Sequence, residues 1–188
     1  DHVDVHFRAL IANTAGTGPE QRGSVNRSCT RRSPKAACAY QGKIYLNAMI
    51  EKRANQDGQR SIALYSPCQR YRYGLQRIWD DGPEVLFVML NPSTATEEKN
   101  DATIERCQRR AKHLGFGALR IANLFAFRAT HPSDLRRADD PEGPDNAGLL
   151  AQWSGSAQMT IAGWGTHGTL LGQAARIAPI LTGDVRHL

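Results

Sequence analysis

The sequence lacks the features that assign many chains to a class at first reading. No apolar run approaches the roughly 20 residues of a membrane-spanning helix, so no membrane partner is expected. Neither a glycine-rich dinucleotide fingerprint nor a P-loop is present, and no local pattern requires a metal or another cofactor. The opening DHVDVHFRAL lacks the basic and then apolar layout of a signal peptide, so a cytoplasmic location is expected.

Cysteine is also scarce, with four residues that form no CxxC pair. The two closest, Cys29 and Cys38, are separated by eight residues, a spacing that matches no metal-binding signature. We interpret the four as free thiols of a cytosolic protein. A metal site or disulfide between Cys29 and Cys38 is the alternative.

The positive charge is concentrated in the first third of the 188 residues. Residues 1–60 contain 10 Lys or Arg against 5 Asp or Glu, a net charge of +5, whereas residues 61–188 contain 14 against 13, a net charge of +1. The first segment is rich in Arg, Ser, Gly and Pro and has no sustained apolar periodicity. We therefore predict a basic, poorly ordered N-terminal segment over residues 1–60, which binds nucleic acid, is a solvated tail, or is extra sequence from an over-long start.

Continuous apolar runs rich in β-formers follow, at EVLFVML, ALRIANLF and QMTIAGWG. Such runs are typical of parallel strands that are buried on both faces. Between the first two runs, an apolar stripe predicts a helix that begins near Asp101 and ends near Leu114. We therefore predict an α/β domain over residues 61–188, a three-layer α/β/α sandwich with a mainly parallel sheet. The arginines of the preceding YRYGLQRIWDD, including Arg72 and Arg77, are expected to be exposed.

Polar residues follow each predicted strand, in the segments NPST, FRATHPSD and GWGTHG. In open parallel sheets, ligands bind outside the carboxyl ends of the strands, so these loops are expected to converge on one crevice. The proline after the first strand stiffens the presentation of the asparagine before it. The candidate crevice residues are Asn91, Pro92, Ser93, Asn123, Phe125, Arg128 and His167.

Four of these candidates have a purely structural alternative. Asn91 could cap its own turn, and Asn123 could bridge the backbones of two loops. Arg128 could pair with Asp134 or another nearby carboxylate. His167 could cap or solvate the start of a helix.

Five separated motifs occur in order and resemble DUF1643, an uncharacterised bacterial and phage family known only as a domain of unknown function. The motifs are YSPCQRYRYGLQRIWD, LFVMLNPSTAT, DATIERC, NLFAFRATHPSDL and AGWGTHG. The resemblance covers residues 61–188 and does not extend to residues 1–60. Because members of the family usually continue with a further strand, the resemblance implies that this chain is truncated at its C-terminus. It implies no activity.

The segments FVMLNPS, NLF and AGWGTHG also resemble, more distantly, three strand ends of the uracil-DNA glycosylase superfamily. That resemblance implies a three-layer α/β fold in which Asn91 is catalytic and orients the water that attacks the sugar. We extend this to a hypothesis in which Asn123 hydrogen-bonds the base edge, Phe125 or Phe127 stacks on a ring, and Arg128 and His167 meet phosphate or the departing base. The chain departs from the pattern where Met89-Leu90 replaces the usual glycine.

Three functional hypotheses follow. The first is a glycosylase-like crevice that acts on or binds a nucleobase in nucleic acid, as a hydrolase if it is an enzyme. The second is a protein that binds or processes a nucleotide or nucleoside, with the helix after Asn91 offering backbone N–H groups to an anion. The third is a non-catalytic nucleic-acid binder that uses the basic N-terminal segment.

Overall fold

The computed structural model describes residues 49–188, which contain a single seven-stranded sheet and four short or medium-length α-helices. The strands are β1 (Ile50–Gln56), β2 (Gln59–Tyr65), β3 (Arg72–Ile78), β4 (Glu84–Met89), β5 (Ala118–Asn123), β6 (Met159–Ala162) and β7 (Val185–His187). The helices are α1 (Ala102–His113), α2 (Pro132–Arg137), α3 (Asn146–Ser156) and α4 (Gln173–Ile177), with 3₁₀ turns at Thr166–Gly172 and Ala178–Ile180. Most of the predicted N-terminal segment, including Cys29 and Cys38, lies outside the described residues.

The sheet is mixed, with strand order β1-β2-β3-β5-β4-β6-β7. Strands β1, β2 and β3 form an antiparallel meander, and β3 also pairs antiparallel with β5. Only β5, β4, β6 and β7 run parallel to one another. The prediction of a three-layer sandwich with a mainly parallel sheet is therefore wrong, because half of the strand pairings are antiparallel and the helices are few.

Two features of the sequence explain this error. Strand β1 begins at Ile50, inside a polar segment whose composition predicted disorder rather than pairing. Strand β3 carries Arg72 and Arg77, which were expected to be exposed, yet both side chains are only 2% exposed. Arginine in a strand usually indicates a face exposed to solvent. That expectation is wrong for β3, which lies between β2 and β5 in the sheet.

Two apolar clusters cover the opposite faces of β4. Val85 and Phe87 pack in the cluster that contains the buried side of α1, whereas Leu86 and Val88 pack in the cluster that contains α3. The alternation arises because successive side chains of a strand point to opposite faces. The predicted buried strands β4 and β5 and the predicted helix α1 are confirmed, since α1 begins after Asp101 and ends at His113.

No helix in the described part of the chain is long and apolar enough to cross a membrane.

Candidate functional site

The carboxyl ends of β4 and β5 meet at one edge of the sheet, where Met89 pairs with Asn123. Beyond the strands, the Phe125 N–H donates to the Leu90 carbonyl at 3.0 Å and the Ala129 N–H donates to the Pro92 carbonyl at 3.0 Å. The chain that follows β5 therefore runs beside the chain that follows β4. These bonds join two of the three predicted loops, and the third, GWGTHG, begins at the same end of the sheet, where the Gly163 N–H donates to the Val88 carbonyl at 2.8 Å. We call the common edge of the first two loops the carboxyl edge.

Asn91 joins the two loops of the carboxyl edge through its side chain. Its amide nitrogen Nδ2 donates to the Ala129 carbonyl at 2.7 Å and to the Pro92 carbonyl at 3.0 Å. Only the amide nitrogen can donate to a carbonyl, so these two bonds fix the orientation of the amide. The bond to Pro92 is the local turn cap that was one alternative for Asn91. The side-chain oxygen is the end of the amide that remains for a ligand.

Because both Asn91 donors are used, we expect Asn91→Asp to destabilise the chain by about 1–3 kcal/mol, since a carboxylate would face two carbonyl oxygens. Urea unfolding at neutral pH measures this loss, with the exposed Thr94→Ala in the same loop as the control variant. An unchanged unfolding midpoint in Asn91→Asp would show that the two bonds do not hold the loops together in solution.

Asn123 lies at the end of β5 and is 1% exposed. Its side-chain Nδ2 is buried and has no acceptor among the described residues. Its backbone carbonyl accepts from the Nδ2 atom of Asn146 at 2.9 Å, so the loop-bridging role belongs to Asn146 rather than to the Asn123 side chain. A buried donor without an acceptor lowers the stability of the folded state by about 1–3 kcal/mol. Such groups are rare in native proteins, so the Asn123 donor needs an explanation.

Arg72 is the largest buried polar side chain near this edge. A shift in the β2–β3 register at Leu64 and Tyr65 places Arg72 opposite Tyr65. Its Nη1 atom donates to the carbonyl of Ala95, and its Nε atom is buried without a partner in the described structure. Burial lowers the pKa of the Arg72 guanidinium to about 10, although Tyr65 and Asp101 favour its charged form.

Arg128 also lies beside this tyrosine. The central carbon of its guanidinium is 5.5 Å from the centre of the Tyr65 ring, and its Nε atom is also buried without a partner in the described structure. The predicted alternative, an ion pair between Arg128 and Asp134, is not formed. The Nζ atom of Lys52 lies 5.1 Å from the same ring centre. Lys52 and Arg128 therefore both lie over this ring, and Arg72 is the strand partner of Tyr65.

Tyr65 is itself held in place by a carboxylate. Its hydroxyl donates to Oε2 of Glu97 at 2.9 Å. Burial and this hydrogen bond raise the pKa of Tyr65 to about 12, so the phenol stays neutral at physiological pH. The Glu97 carboxylate is used by the tyrosine and forms no ion pair with Arg72 or Arg128.

The other predicted residues are placed less favourably. Pro92 is buried and Ser93 is half-buried, both directly after Asn91. Phe125 is 1% exposed and packs in the apolar cluster that contains α3, so no ring face is open to a ligand. His167 is exposed in the 3₁₀ turn after β6 and forms no hydrogen bond with Asn91 or Asn123. Neither Phe125 nor His167 is joined to the carboxyl edge by a described side-chain contact.

The start of α1 is not the anion site that the sequence suggested. Oδ1 of Asp101 accepts hydrogen bonds from the backbone N–H groups of Thr103 and Ile104, both at 3.0 Å. A carboxylate therefore already occupies the position that a phosphate would take at this helix terminus. Among residues 49–188 there is also no group of three or more His, Cys, Asp or Glu side chains positioned to hold a metal ion.

Sequence reasoning missed Tyr65 and Arg72. The only sequence signal was the alternation in YRYGL, where arginine stands between two tyrosines of a β-forming run. It could have marked Arg72 as part of a strand, but nothing in it indicated burial.

Comparison with known protein families identifies the family of this chain. The family model described as protein of unknown function, DUF1643, matches residues 72–187, which is more than half of the chain. The chain belongs to DUF1643. Within the DUF1643 match lie β3 to β7 and therefore Arg72, Asn91, Asn123 and Arg128, whereas Tyr65 precedes it. No curated protein and no solved structure gives a significant match. The resemblance to the uracil-DNA glycosylase superfamily thus receives no support from these comparisons.

Proposed function

We propose that the DUF1643 domain binds the base of a nucleotide or of a nucleic acid at the carboxyl edge. The observation that supports this most directly is the buried Nδ2 donor of Asn123, which has no acceptor in the described structure. Nucleobases present carbonyl and ring-nitrogen acceptors along their edges, and an asparagine amide is well suited to them. The Asn91 oxygen offers an acceptor from the neighbouring loop, so the two asparagines supply complementary groups.

Access to Asn123 requires part of the carboxyl edge to open, because its side chain is 1% exposed. Residues 91–101 contain no helix or strand and lead from the end of β4 to the start of α1. We expect this segment to lift when a base enters. Within it, the backbone carbonyls of Ala95 and Thr96 accept hydrogen bonds from Arg72 and Arg77. These bonds must break or shift when the segment lifts.

The proposal is tested by thermal unfolding and calorimetric titration with uridine, cytidine, adenosine and guanosine. A ligand at one hundred times its Kd raises the free energy of unfolding by about 2.7 kcal/mol. We expect one or more nucleosides to raise the Tm of the native chain. Asn123→Leu, which keeps the shape of the side chain and removes the unused donor, is expected to abolish this rise while changing the stability by less than about 1 kcal/mol.

Asn146→Leu is the matched control for Asn123→Leu. The Asn146 Nδ2 donates to the carbonyls of Asn123 and Leu124 at 2.9 and 3.0 Å, and its loss removes both bonds, although the Leu124 carbonyl keeps its bond from Nε2 of Gln173 at 3.1 Å. We expect Asn146→Leu to lower the free energy of unfolding by about 2 kcal/mol or more. If Asn123→Leu is equally destabilised, or binds nucleosides as well as the native chain, Asn123 is a structural residue and the proposal is wrong.

The hydrolytic role predicted for Asn91 is tested separately. Oligonucleotides that carry uracil or hypoxanthine are incubated with the native chain and with Asn91→Ala, and alkali-labile abasic sites are counted. Cleavage that depends on Asn91 would add a reaction to the proposed binding. Binding without cleavage would leave the domain as a binder of the base.

A further inference from the structure

We infer that Tyr65, Arg72 and Arg128 form an anion subsite beside the carboxyl edge and that its ligand is a phosphate of the nucleotide. The inference deepens the proposed function and rests on it. We call these three residues the arginine–tyrosine cluster. It lies where β2, β3 and the segment after β5 meet.

Each arginine of the cluster has one guanidinium donor, Nε, without a protein acceptor in the described structure, whereas Nη1 of Arg72 donates to the Ala95 carbonyl and Nη1 of Arg128 donates to the Gln69 carbonyl at 3.5 Å. Arg72 and Arg128 approach the same tyrosine from β3 and from the segment after β5. The Nε atom of each is buried and unpartnered in the described structure. An arginine carries five N–H donors in a planar fork, and a phosphate is among the few groups with enough acceptor oxygens to engage two such forks together.

The charge of the cluster also calls for an anion. Neither Arg72 nor Arg128 forms an ion pair with a carboxylate in the described part of the chain. Arginine is rarely buried unless it is paired, because the desolvation of a charge is costly. Lys52 adds a further cation near the Tyr65 ring, and the Glu97 carboxylate accepts from the tyrosine hydroxyl.

The cluster is connected to the proposed base site through one short segment. The Arg72 N–H donates to the Ala126 carbonyl at 2.9 Å, and three residues later the Ala129 carbonyl accepts from Asn91. Arg128 lies between these two points in the chain. A nucleotide whose base lies at Asn91 and Asn123 therefore has one cationic side chain, Arg128, within this segment and a second, Arg72, bonded to it through the backbone, to receive its phosphate.

The test compares each of the four nucleosides with its 5′-monophosphate by calorimetry, and uses sodium phosphate alone as a separate probe. In the native chain we expect at least one monophosphate to bind about tenfold more tightly than its nucleoside. Arg128→Gln should remove this gain, and Arg128→Lys should keep part of it. Arg136→Gln, which removes an exposed arginine of α2, is the matched control and should keep all of it.

The outcomes separate the two proposals. Equal binding of nucleoside and monophosphate by the native chain would overturn the anion subsite and leave the base site standing. Stabilisation by phosphate alone that Arg128→Gln removes, with no binding of nucleosides, would support the subsite and overturn the base site. No binding of any probe would overturn both. A trinucleotide without terminal phosphate, bound as tightly as the monophosphate, would identify the phosphate as that of a nucleic-acid backbone.

Discussion

Replacing Arg77 by methionine is expected to lower the free energy of unfolding by about 3 kcal/mol, whereas the same change at Arg72 is expected to alter it by less than about 1 kcal/mol. The two arginines lie in the same strand and are equally buried. Arg77 donates from Nε to Asn100 at 3.0 Å and from Nη2 to the Thr96 carbonyl at 2.6 Å. Its removal would leave these acceptors under the loop without their donors.

Arg72 forms fewer hydrogen bonds than Arg77, although it is equally buried. Its Nη1 atom donates to one carbonyl, that of Ala95, and its Nε atom has no partner in the described structure. Burial disfavours the charged form of Arg72 and lowers its pKa to about 10. Even a buried ion pair can often be replaced by well-packed apolar side chains without loss of stability, so we expect little loss when the unpaired charge of Arg72 is replaced by an apolar side chain of similar length. If Arg72 is retained for an anion, its replacement should affect binding far more than folding.

Urea unfolding of the two variants, together with monophosphate binding, measures both effects. We expect Arg77→Met to unfold at a lower urea concentration with an unchanged slope, and Arg72→Met to keep the midpoint but lose the phosphate gain. A loss of stability in Arg72→Met as large as that in Arg77→Met would make Arg72 a structural arginine. Its unpaired charge would then no longer support an anion subsite.

Part of the fold could be predicted from the sequence because the signal was local. The apolar run that forms β4, the stripe of α1 and the apolar run that forms β5 each depend on residues that are close in the chain. Pairing between strands depends instead on residues that are far apart in the chain. Strand β5 pairs parallel with β4 and antiparallel with β3, and no periodicity within β5 reveals a second partner of opposite direction.

The candidate site was predictable to a similar extent. Asn91 follows β4 and Asn123 is the last residue of the adjacent parallel strand β5, so the topology alone placed them at one edge. Phe125 could not be placed, because a residue just beyond a strand can face either the core or the crevice. Arg72 was missed because its burial depends on a register shift against β2, which is a property of two strands together.

The second large effect is expected where α3 packs on the sheet. A Cβ atom on Gly74 would lie 2.2 Å from Cη2 of Trp153, closer than any real contact. Gly74→Ala therefore forces the indole and the helix outward, and we expect a loss of about 3 kcal/mol. Trp153→Leu creates a cavity and is expected to cost about 2–3 kcal/mol.

The double variant distinguishes steric overlap from a general effect of the glycine. If the Gly74 methyl and the Trp153 ring compete for the same space, the double variant should be more stable than the sum of the two losses predicts, by about 1 kcal/mol or more. Gly155→Ala is the control in the same helix, because its Cβ would meet only Thr182 Oγ1 at 3.4 Å. It should be neutral or slightly stabilising. Strictly additive losses would show that the two side chains do not share that space.

The same variants connect this packing to the candidate site. Asn146, the first residue of α3, donates to the carbonyls of Asn123 and Leu124, so an outward shift of the helix pulls on the end of β5. We therefore expect Gly74→Ala to weaken nucleoside binding even at a temperature where the chain is fully folded. The double variant should recover part of that affinity, because relieving the overlap lets α3 return towards the sheet. Unchanged affinity in folded Gly74→Ala would mean that the position of α3 does not govern the geometry around Asn123.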